Sequence, residues 1–294
     1  MIPRPFAYER PTTVEEAVSL LAAAGERDVK ALAGGQSLIP MLSLGLARPD
    51  LVIDLGALEL DGLERENGRV RVGARTTHRT LELAPDACAL LPLAAAAARH
   101  IGNPRVRNRG TFGGSLAHAD PAAELPAVLL AQEGSVLVRG PRGDRRIPAE
   151  DFFLGYLETA LAPDELIVAA ELDVLQAGTG VGFEEAANRA DDFATALAAA
   201  VVTLEEDGRT CAAARVVVAG VADRPLRLGA AEELVGGERE TEALLARVAA
   251  AAEESLAPEE DAFVSAAFRR RLAGVCARRA LARAWADARS EGAL

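Results

Sequence analysis

The sequence predicts an α+β protein built from two or three compact units. Segments in which apolar residues recur with helical spacing lie between short apolar strands and hairpin signals. The 294 residues exceed the usual length of a single domain, and half of them are hydrophobic, so a sizeable core is expected. Two glycine-rich loops, at residues 33–37 and 111–115, are the features around which the other elements are arranged.

The first predicted unit spans residues 1–57 and has a β-α-β order. Thr13 and Glu16 form a capping-box pattern at the start of an amphipathic helix, which Gly25 ends. Short apolar strands are expected at 29–33 and 51–54, and the first glycine loop leaves the end of the earlier strand.

The second predicted unit spans residues 58–176 and combines hairpin strands with helices. The dipeptide Asn67-Gly68 is a hairpin signal, and Thr76 or Thr77 is placed to cap a helix. Pro126 lies inside a helical pattern, which predicts that this helix starts late or kinks. Helices are expected near 77–83, 91–100 and 121–131, and strands at 69–73, 135–139, 146–153 and 165–174.

The third predicted unit spans residues 177–294. Gly178, Gly180 and Gly182 predict a linker or hairpin at its start, and they form no dinucleotide-binding fingerprint because no helix follows them. The final helix places Phe268, Leu272 and Val275 on one face, and its arginines are expected to lie in water; the alternative is that this basic amphipathic helix docks a partner. Strands are expected at 196–205 and 211–221, and helices at 238–254 and 261–286.

Each glycine loop pairs glycine with a small hydroxyl residue. Backbone N–H groups can then approach a phosphate closely, while Ser or Thr adds a further donor. Two loops of this kind predict a pair of jaws that close on one long ligand with a pyrophosphate in its middle. The alternative is that both loops are ordinary tight turns, since glycine is common in loops.

Arg105, Arg107 and Arg109 stand at alternate positions just before the second loop. On an extended segment they would face one side, where they could meet an anion or the acidic surface of a partner. The alternative is a solvated edge.

Composition excludes several classes of function. The net charge of -12 argues against a nucleic-acid surface. Cys88, Cys211 and Cys276 are isolated, and the three histidines have no zinc-like spacing, so no metal or iron–sulfur site is expected on this chain. The first six residues lack the apolar core of a signal peptide and no apolar run reaches membrane-spanning length, so a cytoplasmic location is expected.

Nearly the whole chain resembles the FAD-binding medium subunits of molybdenum hydroxylases, a family that includes carbon monoxide dehydrogenase medium chains and xanthine dehydrogenase FAD-binding subunits. The resemblance begins at residues 6–8 and 13–17 and continues through 33–38 and 48–50. Its strongest block is residues 107–121, and residues 265–269 resemble the family's C-terminal domain. It implies a two-part PCMH-type FAD-binding region, a small β-α-β unit plus a larger α+β unit, followed by a C-terminal α+β domain of a β-sheet with helices.

The resemblance also implies which residues contact FAD. The two glycine loops would hold the pyrophosphate, Ile101 and Gly102 would lie along the flavin or its linker, and Ile167 would touch the isoalloxazine ring. A third group near Glu124 would meet the adenosine and ribitol parts, where a carboxylate can accept a hydroxyl hydrogen bond. The implied cofactor-binding residues are Ala33, Gly34, Gly35, Gln36, Ser37, Leu38, Ile101, Gly102, Thr111, Gly113, Gly114, Ser115, Ala117, His118, Ala123, Glu124 and Ile167.

One departure from the family concerns the segment that starts at Phe183. Many members have an aromatic residue followed closely by lysine, whereas this chain has Glu184 and Glu185. A cation near the flavin would stabilise the anionic reduced ring, so its loss is expected to shift the flavin potential or the choice of electron acceptor. Arg189 and Asp192 of the same segment match the family pattern.

The resemblance implies an electron-transfer subunit that is active within a complex. Electrons would come from a molybdenum cofactor in a large subunit, pass through two [2Fe–2S] clusters in a small subunit, and leave through FAD to NAD or a quinone. Neither a catalytic nor a metal-ligating residue is expected on this chain. Two alternatives stay open: a stand-alone flavin reductase or oxidase, and a non-catalytic scaffold subunit that has lost FAD.

Overall fold

The structure is a computed structural model that describes residues 4–291. Residues 1–3, part of the segment used in the signal-peptide argument, and residues 292–294, the end of the predicted third unit, lie outside the described residues. Helices and strands are mixed along the chain, which confirms the α+β class.

The strands, in chain order, are β1 (Ala7–Glu9), β2 (Val29–Leu32), β3 (Leu51–Asp54), β4 (Leu63–Glu66), β5 (Arg69–Gly73), β6 (Ser135–Gly140), β7 (Gly143–Pro148), β8 (Phe153–Gly155), β9 (Glu158–Thr159), β10 (Leu166–Asp173), β11 (Thr179–Ala187), β12 (Ala194–Leu204), β13 (Cys211–Ala219) and β14 (Leu226–Arg227). The α-helices are α1 (Val14–Ala22), α2 (Leu38–Leu44), α3 (His78–Leu83), α4 (Pro85–Leu90), α5 (Pro92–Ala98), α6 (Pro104–Arg107), α7 (Phe112–His118), α8 (Glu124–Ala131), α9 (Ala149–Phe152), α10 (Gly229–Val235), α11 (Glu242–Ser255) and α12 (Ala266–Glu291).

A small parallel sheet of order β1-β3-β2 forms the first part of the molecule. Helix α1 begins where predicted, because the Thr13 hydroxyl accepts a hydrogen bond from the Glu16 amide at 3.1 Å. Its buried face, Ala17, Val18 and Leu21, packs with the apolar residues of β3. The first glycine loop connects β2 to α2, as the sequence predicted.

An antiparallel sheet of order β4-β5-β10-β6-β7 forms the second part. Asn67 and Gly68 both have positive φ, 50° and 77°, in the tight turn between β4 and β5, which confirms the predicted hairpin. Thr77 caps α3 by accepting from the Thr80 amide at 3.1 Å. Helices α3, α5, α7 and α8 contribute to the core that covers this sheet.

Two elements of the second part can be compared with the prediction. The helix expected near 121–131 starts late, at Glu124, which is one of the two outcomes that Pro126 predicted; Pro126 lies in its first turn, where a missing N–H is tolerated. The single strand expected at 146–153 is instead strand β7, helix α9 and strand β8 in succession. Ala149 and Phe152 of α9 are buried whereas Glu150 and Asp151 are exposed, so a short helical turn of mixed polarity was mistaken for part of a continuous strand.

The third part is an antiparallel sheet of order β11-β12-β13-β14, covered on one face by α10, α11 and α12. Gly180 and Gly182 lie inside β11 and not in a linker. A Cβ at Gly182 would collide with the Ala280 carbonyl, and one at Gly180 would lie 2.7 Å from the Ala288 Cα atom. The glycines therefore allow the backbone of α12 to approach the sheet closely.

The buried face of α12 is also different from the predicted one. Phe268 is 53% exposed, whereas the small residues Ala273, Ala277 and Ala284 are fully buried against the sheet. Arg269, expected in water, is partly buried and donates to the carbonyls of Thr195 and Gly220. Helix α10 had no counterpart in the sequence prediction. The domain boundaries at 57 and 176 stay a prediction.

A hydrogen bond ties the third sheet to the chain that follows the second glycine loop. The Gly220 amide, just after β13, donates to the Pro121 carbonyl at 2.8 Å. Its own carbonyl accepts from Arg269 at 2.9 Å. Arg269 of α12 thus supports Gly220, which is bonded in turn to Pro121, the last residue of the strongest sequence block.

Candidate functional site

The two glycine loops meet through their backbones. Gly34 lies against the segment that leads into the second loop: a Cβ at Gly34 would collide with the Arg109 carbonyl and would lie 2.8 Å from the Gly110 Cα atom. A Cβ at Gly114 would lie 3.7 Å from that of Ala33. The two loops therefore lie side by side, and their closing on one ligand stays a prediction.

The first loop presents a run of unpaired amides. The backbone N–H groups from 34 to 38 donate no hydrogen bond to any acceptor among residues 4–291. Gly35 has φ +74°, and the Gln36 side-chain amide donates back to the Gly34 carbonyl at 3.0 Å. Successive amides around a left-handed residue form a concave set of donors that suits an anion such as a pyrophosphate.

The second loop offers mainly hydroxyl groups, because most of its backbone amides are already bonded. The Phe112 amide donates to the Thr76 carbonyl at 2.9 Å, and the Gly113 amide donates to the Ala74 carbonyl at 2.8 Å. The Gly114 amide is capped by the Thr111 hydroxyl at 3.1 Å, and the Ser115 amide donates to the Thr111 carbonyl at 3.0 Å. The donors left among the described residues of this loop are the Thr111 amide and the hydroxyls of Thr111 and Ser115. Contact of these donors with a phosphate stays a prediction.

His78 supports the second loop from behind, a role that the sequence did not suggest. Its Nε2 lies 3.0 Å from the Thr111 carbonyl oxygen, and a Cβ at Gly110 would lie 2.8 Å from its Nδ1. Burial lowers the pKa of His78 to about 4, so the imidazole is neutral at physiological pH. A neutral ring with Nε2 protonated donates to that carbonyl and holds the loop in place.

The arginine-rich segment before the second loop is helical rather than extended. Asn103 caps α6 by accepting from the amides of Arg105 and Val106. The three arginines therefore do not share one face. Arg107 is buried at 8% exposure and pairs with Glu82, while Arg105 and Arg109 are exposed. The segment is therefore not a row of arginines that could face one anion together, and it is not an edge whose arginines all lie in water.

The other predicted contact residues follow the second loop. Ala117 and His118 are at the end of α7, and Ala123 is the N-cap of α8. Glu124 is the first residue of α8. Ile167 lies on β10 and is 4% exposed, within the core of the second part. Their contacts with FAD stay a prediction.

Two carboxyl groups come together where the third sheet meets α8. Burial, together with the neighbouring carboxylates of Glu185 and Asp120, raises the pKa of Glu124 to about 8. Burial raises the pKa of Glu185 to about 7. The Oε2 atom of Glu185 is fully enclosed and has no hydrogen-bond partner among the described residues. Glu124 therefore favours its protonated form near neutral pH, whereas Glu185 titrates there.

The side chains of β11 alternate, and this separates Glu184 from Glu185. Glu184 faces α12 and accepts from Arg279 at 3.1 Å and from Arg283 at 2.8 Å. Phe183 faces the other way, into the core of the second part, where its ring lies 5.1 Å from that of His100. Glu185 shares the side of Phe183, so the arginines of α12 neutralise only Glu184.

Among residues 4–291 no group of His, Cys, Asp and Glu side chains is arranged to hold a metal ion. No helix in the described part of the chain is long and apolar enough to cross a membrane.

Two known families match consecutive parts of the chain. Residues 4–172 match the FAD binding domain in molybdopterin dehydrogenase, and residues 182–284 match the CO dehydrogenase flavoprotein C-terminal domain. The chain is 38% identical to the carbon monoxide dehydrogenase medium chain of Hydrogenophaga pseudoflava, over 97% of this chain and 99% of that protein. It is 37% identical to the 6-hydroxypseudooxynicotine dehydrogenase complex subunit alpha of Paenarthrobacter nicotinovorans, over 98% and 97%.

Solved structures give the same result. A chain of carbon monoxide dehydrogenase from Hydrogenophaga pseudoflava superposes with a TM-score of 0.93 at 40% identity, covering 97% of this chain and 99% of that one. A chain of quinoline 2-oxidoreductase from Pseudomonas putida 86 superposes with a TM-score of 0.92 at 32% identity, with the same coverage.

Proposed function

Since this chain belongs to the family of FAD-binding medium subunits of molybdenum hydroxylases, we propose that it transfers electrons within such a complex. The proposed route runs from [2Fe–2S] clusters of a partner subunit, through FAD on this chain, to NAD or a quinone. Bound FAD supplies the redox chemistry, and the protein supplies binding, orientation and electrostatics.

The observation that carries this proposal is the contact of Gly34 with Arg109 and Gly110. It places the unpaired amides of residues 34–38 beside the hydroxyl groups of the second loop, so one elongated ligand can use both. Donors of this kind fit the pyrophosphate of FAD, which carries negative charge and needs close backbone approach. We propose that the first loop, Thr111 and Ser115 hold that group.

The remaining predicted contacts fit the two arms of FAD. Glu124 is the first residue of α8, the helix that follows α7 in the chain. Its raised pKa keeps the carboxyl protonated near neutral pH, so it can both donate to and accept from a ribose or ribitol hydroxyl. Ile101 and Gly102 precede α6 and are proposed to lie along the flavin.

The proposed partners are a large subunit with the molybdenum cofactor and a small subunit with the [2Fe–2S] clusters. Several relatives are named as medium chains or as subunits of a complex, which supports an assembly. Cys211 and Cys276 are buried and Cys88 is partly buried, and none has a ligand set for a cluster among residues 4–291. A cytoplasmic location stays a prediction.

Substrate choice is proposed to lie outside this chain. Relatives named for carbon monoxide, 6-hydroxypseudooxynicotine, nicotine and caffeine oxidation match at 36–38% identity, so the sequence singles out none of these substrates. This is expected if the molybdenum-containing subunit binds the substrate.

The absorption spectrum of the purified full chain, with and without added FAD, tests the proposal. Bound FAD without metal or iron–sulfur absorption is expected, and the flavin should be reduced by substrate only when the partner subunits are present. Reduction by small substrates without partners would favour a stand-alone flavin reductase or oxidase. A protein that stays colourless with FAD in the assembled complex would favour a scaffold subunit.

A further inference from the structure

Arg107 is a buried cation next to the candidate site, and its guanidinium has three partners. Nε donates to Glu82 Oε2 at 2.8 Å. Nη1 donates to the Gly102 carbonyl at 2.7 Å and to the Ile101 carbonyl at 3.0 Å. The side chains of Arg107 and Glu82 are only 10% and 11% exposed, so these bonds form away from water.

The guanidinium of Arg107 is already paired with a carboxylate, which it shares with Arg79. Burial opposes the ionisation of Glu82, but hydrogen bonds from Arg79 and Arg107 outweigh it and hold the pKa of that carboxyl below its usual value. The ionised Glu82 bonds Arg79 at 2.9 Å and Arg107 at 2.8 Å. Arg107 is therefore not free to bind a phosphate, and any effect that it has on a cofactor is transmitted through the turn at Ile101 and Gly102.

The two carbonyl bonds fix the direction of two amides. In a trans peptide the C=O and the following N–H point in opposite directions. Since the carbonyls of Ile101 and Gly102 point at Arg107, the N–H groups of Gly102 and Asn103 point away from it. Neither N–H has an acceptor among residues 4–291.

The turn itself depends on glycine. Gly102 has φ +42°, and a Cβ there would lie 3.3 Å from the Val106 side chain. Without Arg107 the two peptides would lose the bonds that choose their orientation, because glycine permits several alternatives at low cost.

Along the chain, one short helix separates the turn at Ile101 and Gly102 from the second glycine loop. Helix α6, Pro104–Arg107, separates this turn from Arg109 and Gly110, the residues that touch Gly34. Four helical residues rise about 6 Å. A ligand whose pyrophosphate lies against residues 34–38 can therefore reach the turn with one of its arms.

We propose that Arg107 is a positioning residue of the FAD site, which turns the N–H groups of Gly102 and Asn103 toward the flavin half of the cofactor. This inference rests on the proposed function, because it requires that the chain binds FAD.

The test compares FAD with ADP, which shares the pyrophosphate and adenosine but lacks the flavin. In the full chain, Arg107→Lys keeps the charge next to Glu82 but loses the planar guanidinium, in which Nε bonds Glu82 while Nη1 donates to both carbonyls. We expect the Kd for FAD to rise about tenfold or more, as for the loss of a buried charge-assisted hydrogen bond, while the Kd for ADP stays within about twofold. The visible circular dichroism of bound flavin should change as well.

Matched variants complete the experiment. Arg105→Lys, on the same helix but exposed, should leave both Kd values unchanged. Glu82→Gln, which keeps the shape of the Arg107 partner, should lower FAD affinity in the same direction and provides the readout if Arg107→Lys fails to fold.

Two results would overturn the inference alone: equal losses for FAD and ADP, which indicate general damage to the loops, or no loss of FAD affinity. A wild-type chain that binds neither FAD nor ADP would instead overturn the proposed function, and this inference with it.

Discussion

Gly34 lies against the carbonyl of Arg109, and no side chain fits between them. This contact joins a loop near the start of the chain to the strongest block of the sequence, which lies far from it in chain order. It makes the two loops one surface without any side-chain interaction. Its consequences are open to direct test.

We expect Gly34→Ala to weaken FAD binding by about tenfold or more, because a Cβ there separates the loops and moves the unpaired amides. Isothermal titration with FAD measures the change. Gly229→Ala is the matched control, since a Cβ at Gly229 meets nothing within 4 Å. Equal affinity in Gly34→Ala and wild type would show that the loops do not act together.

Bulky residues at Gly35 or Gly114 should also weaken FAD binding. Gly35 has φ +74°, which a side chain disfavours, and a Cβ at Gly114 would lie 2.7 Å from the Thr111 hydroxyl that caps α7. A flavin titration of Gly35→Val and Gly114→Val checks this expectation. Unchanged affinity in both variants would rule out the two loops as the pyrophosphate site.

Glu185→Lys is expected to raise the midpoint potential of bound flavin, on the order of tens of millivolts, because a cation stabilises the anionic reduced ring. Part of the new charge will be neutralised by Glu124, whose pKa should fall when Glu185 is replaced by a cation. Potentiometric titration of the two proteins gives the shift. Glu185→Gln separates the loss of a carboxyl from the gain of a charge, and an unshifted potential in Glu185→Lys would mean that this position does not face the ring.

The paired carboxyls predict how stability depends on pH. The pKa values of Glu124 and Glu185 in the folded protein, about 8 and about 7, lie above the ordinary value of 4.5, so the folded state binds more protons than the unfolded state. Their contribution to stability is fully present below about pH 4.5, decreases as the pH rises above that value, and is lost once the pH has risen through 7 to 8. The free energy of unfolding should therefore fall less steeply between pH 5 and about 7 in Glu185→Gln than in wild type.

Urea unfolding of the chain without cofactor, repeated at half-unit steps between pH 5 and about 8.5, measures this difference. Glu150→Gln, at an exposed position, is the control and should follow the wild-type curve. Parallel curves for Glu185→Gln and wild type would show that the two carboxyls are not coupled to folding.

Gly182→Ala should destabilise the third sheet, because its Cβ would collide with the Ala280 carbonyl of α12. Overpacking of this kind costs about 1–3 kcal/mol. Thermal unfolding should show a lower Tm, while Gly236→Ala, where the nearest atom lies 3.9 Å from the new Cβ, should change it little. A Tm equal to that of wild type would mean that α12 moves freely away from β11.

Local signals in the sequence predicted the local structure well. Thr13 and Thr77 cap helices through their own hydroxyls, and Asn67 and Gly68 supply the positive φ that a two-residue hairpin requires. Such features depend on residues within three or four positions of each other. They are therefore readable without knowledge of the fold.

Features set by distant contacts were missed or mistaken. The alternation of Arg105, Arg107 and Arg109 suggested an extended segment, but Asn103 and Pro104 start a helical turn, and Glu82 holds Arg107 inside. Gly182 was assigned to a linker or hairpin because its reason for being glycine, the backbone of α12, lies almost one hundred residues later. Tertiary packing decided both cases.

The candidate site was predicted in part. Similar composition of the two loops was enough to infer that they share a ligand, and the structure brings them together. The sequence could not show that the amides of the first loop are unpaired while most of those of the second loop are bonded. The acceptors for the second loop, the carbonyls of Ala74 and Thr76, lie just after another strand, β5. The support from His78 and Arg107 likewise depends on distances that no spacing in the sequence reveals.

The link from Pro121 through Gly220 to Arg269 has a consequence for the order in which the molecule matures. Pro121 leaves the ribosome long before Arg269, so the second glycine loop is made well ahead of the helix that secures it. Cofactor uptake is therefore expected to follow folding of the last helix rather than to accompany synthesis of the loops. Ribosome-bound chains that stop short of α12 should retain FAD poorly, although every predicted FAD contact has already been translated.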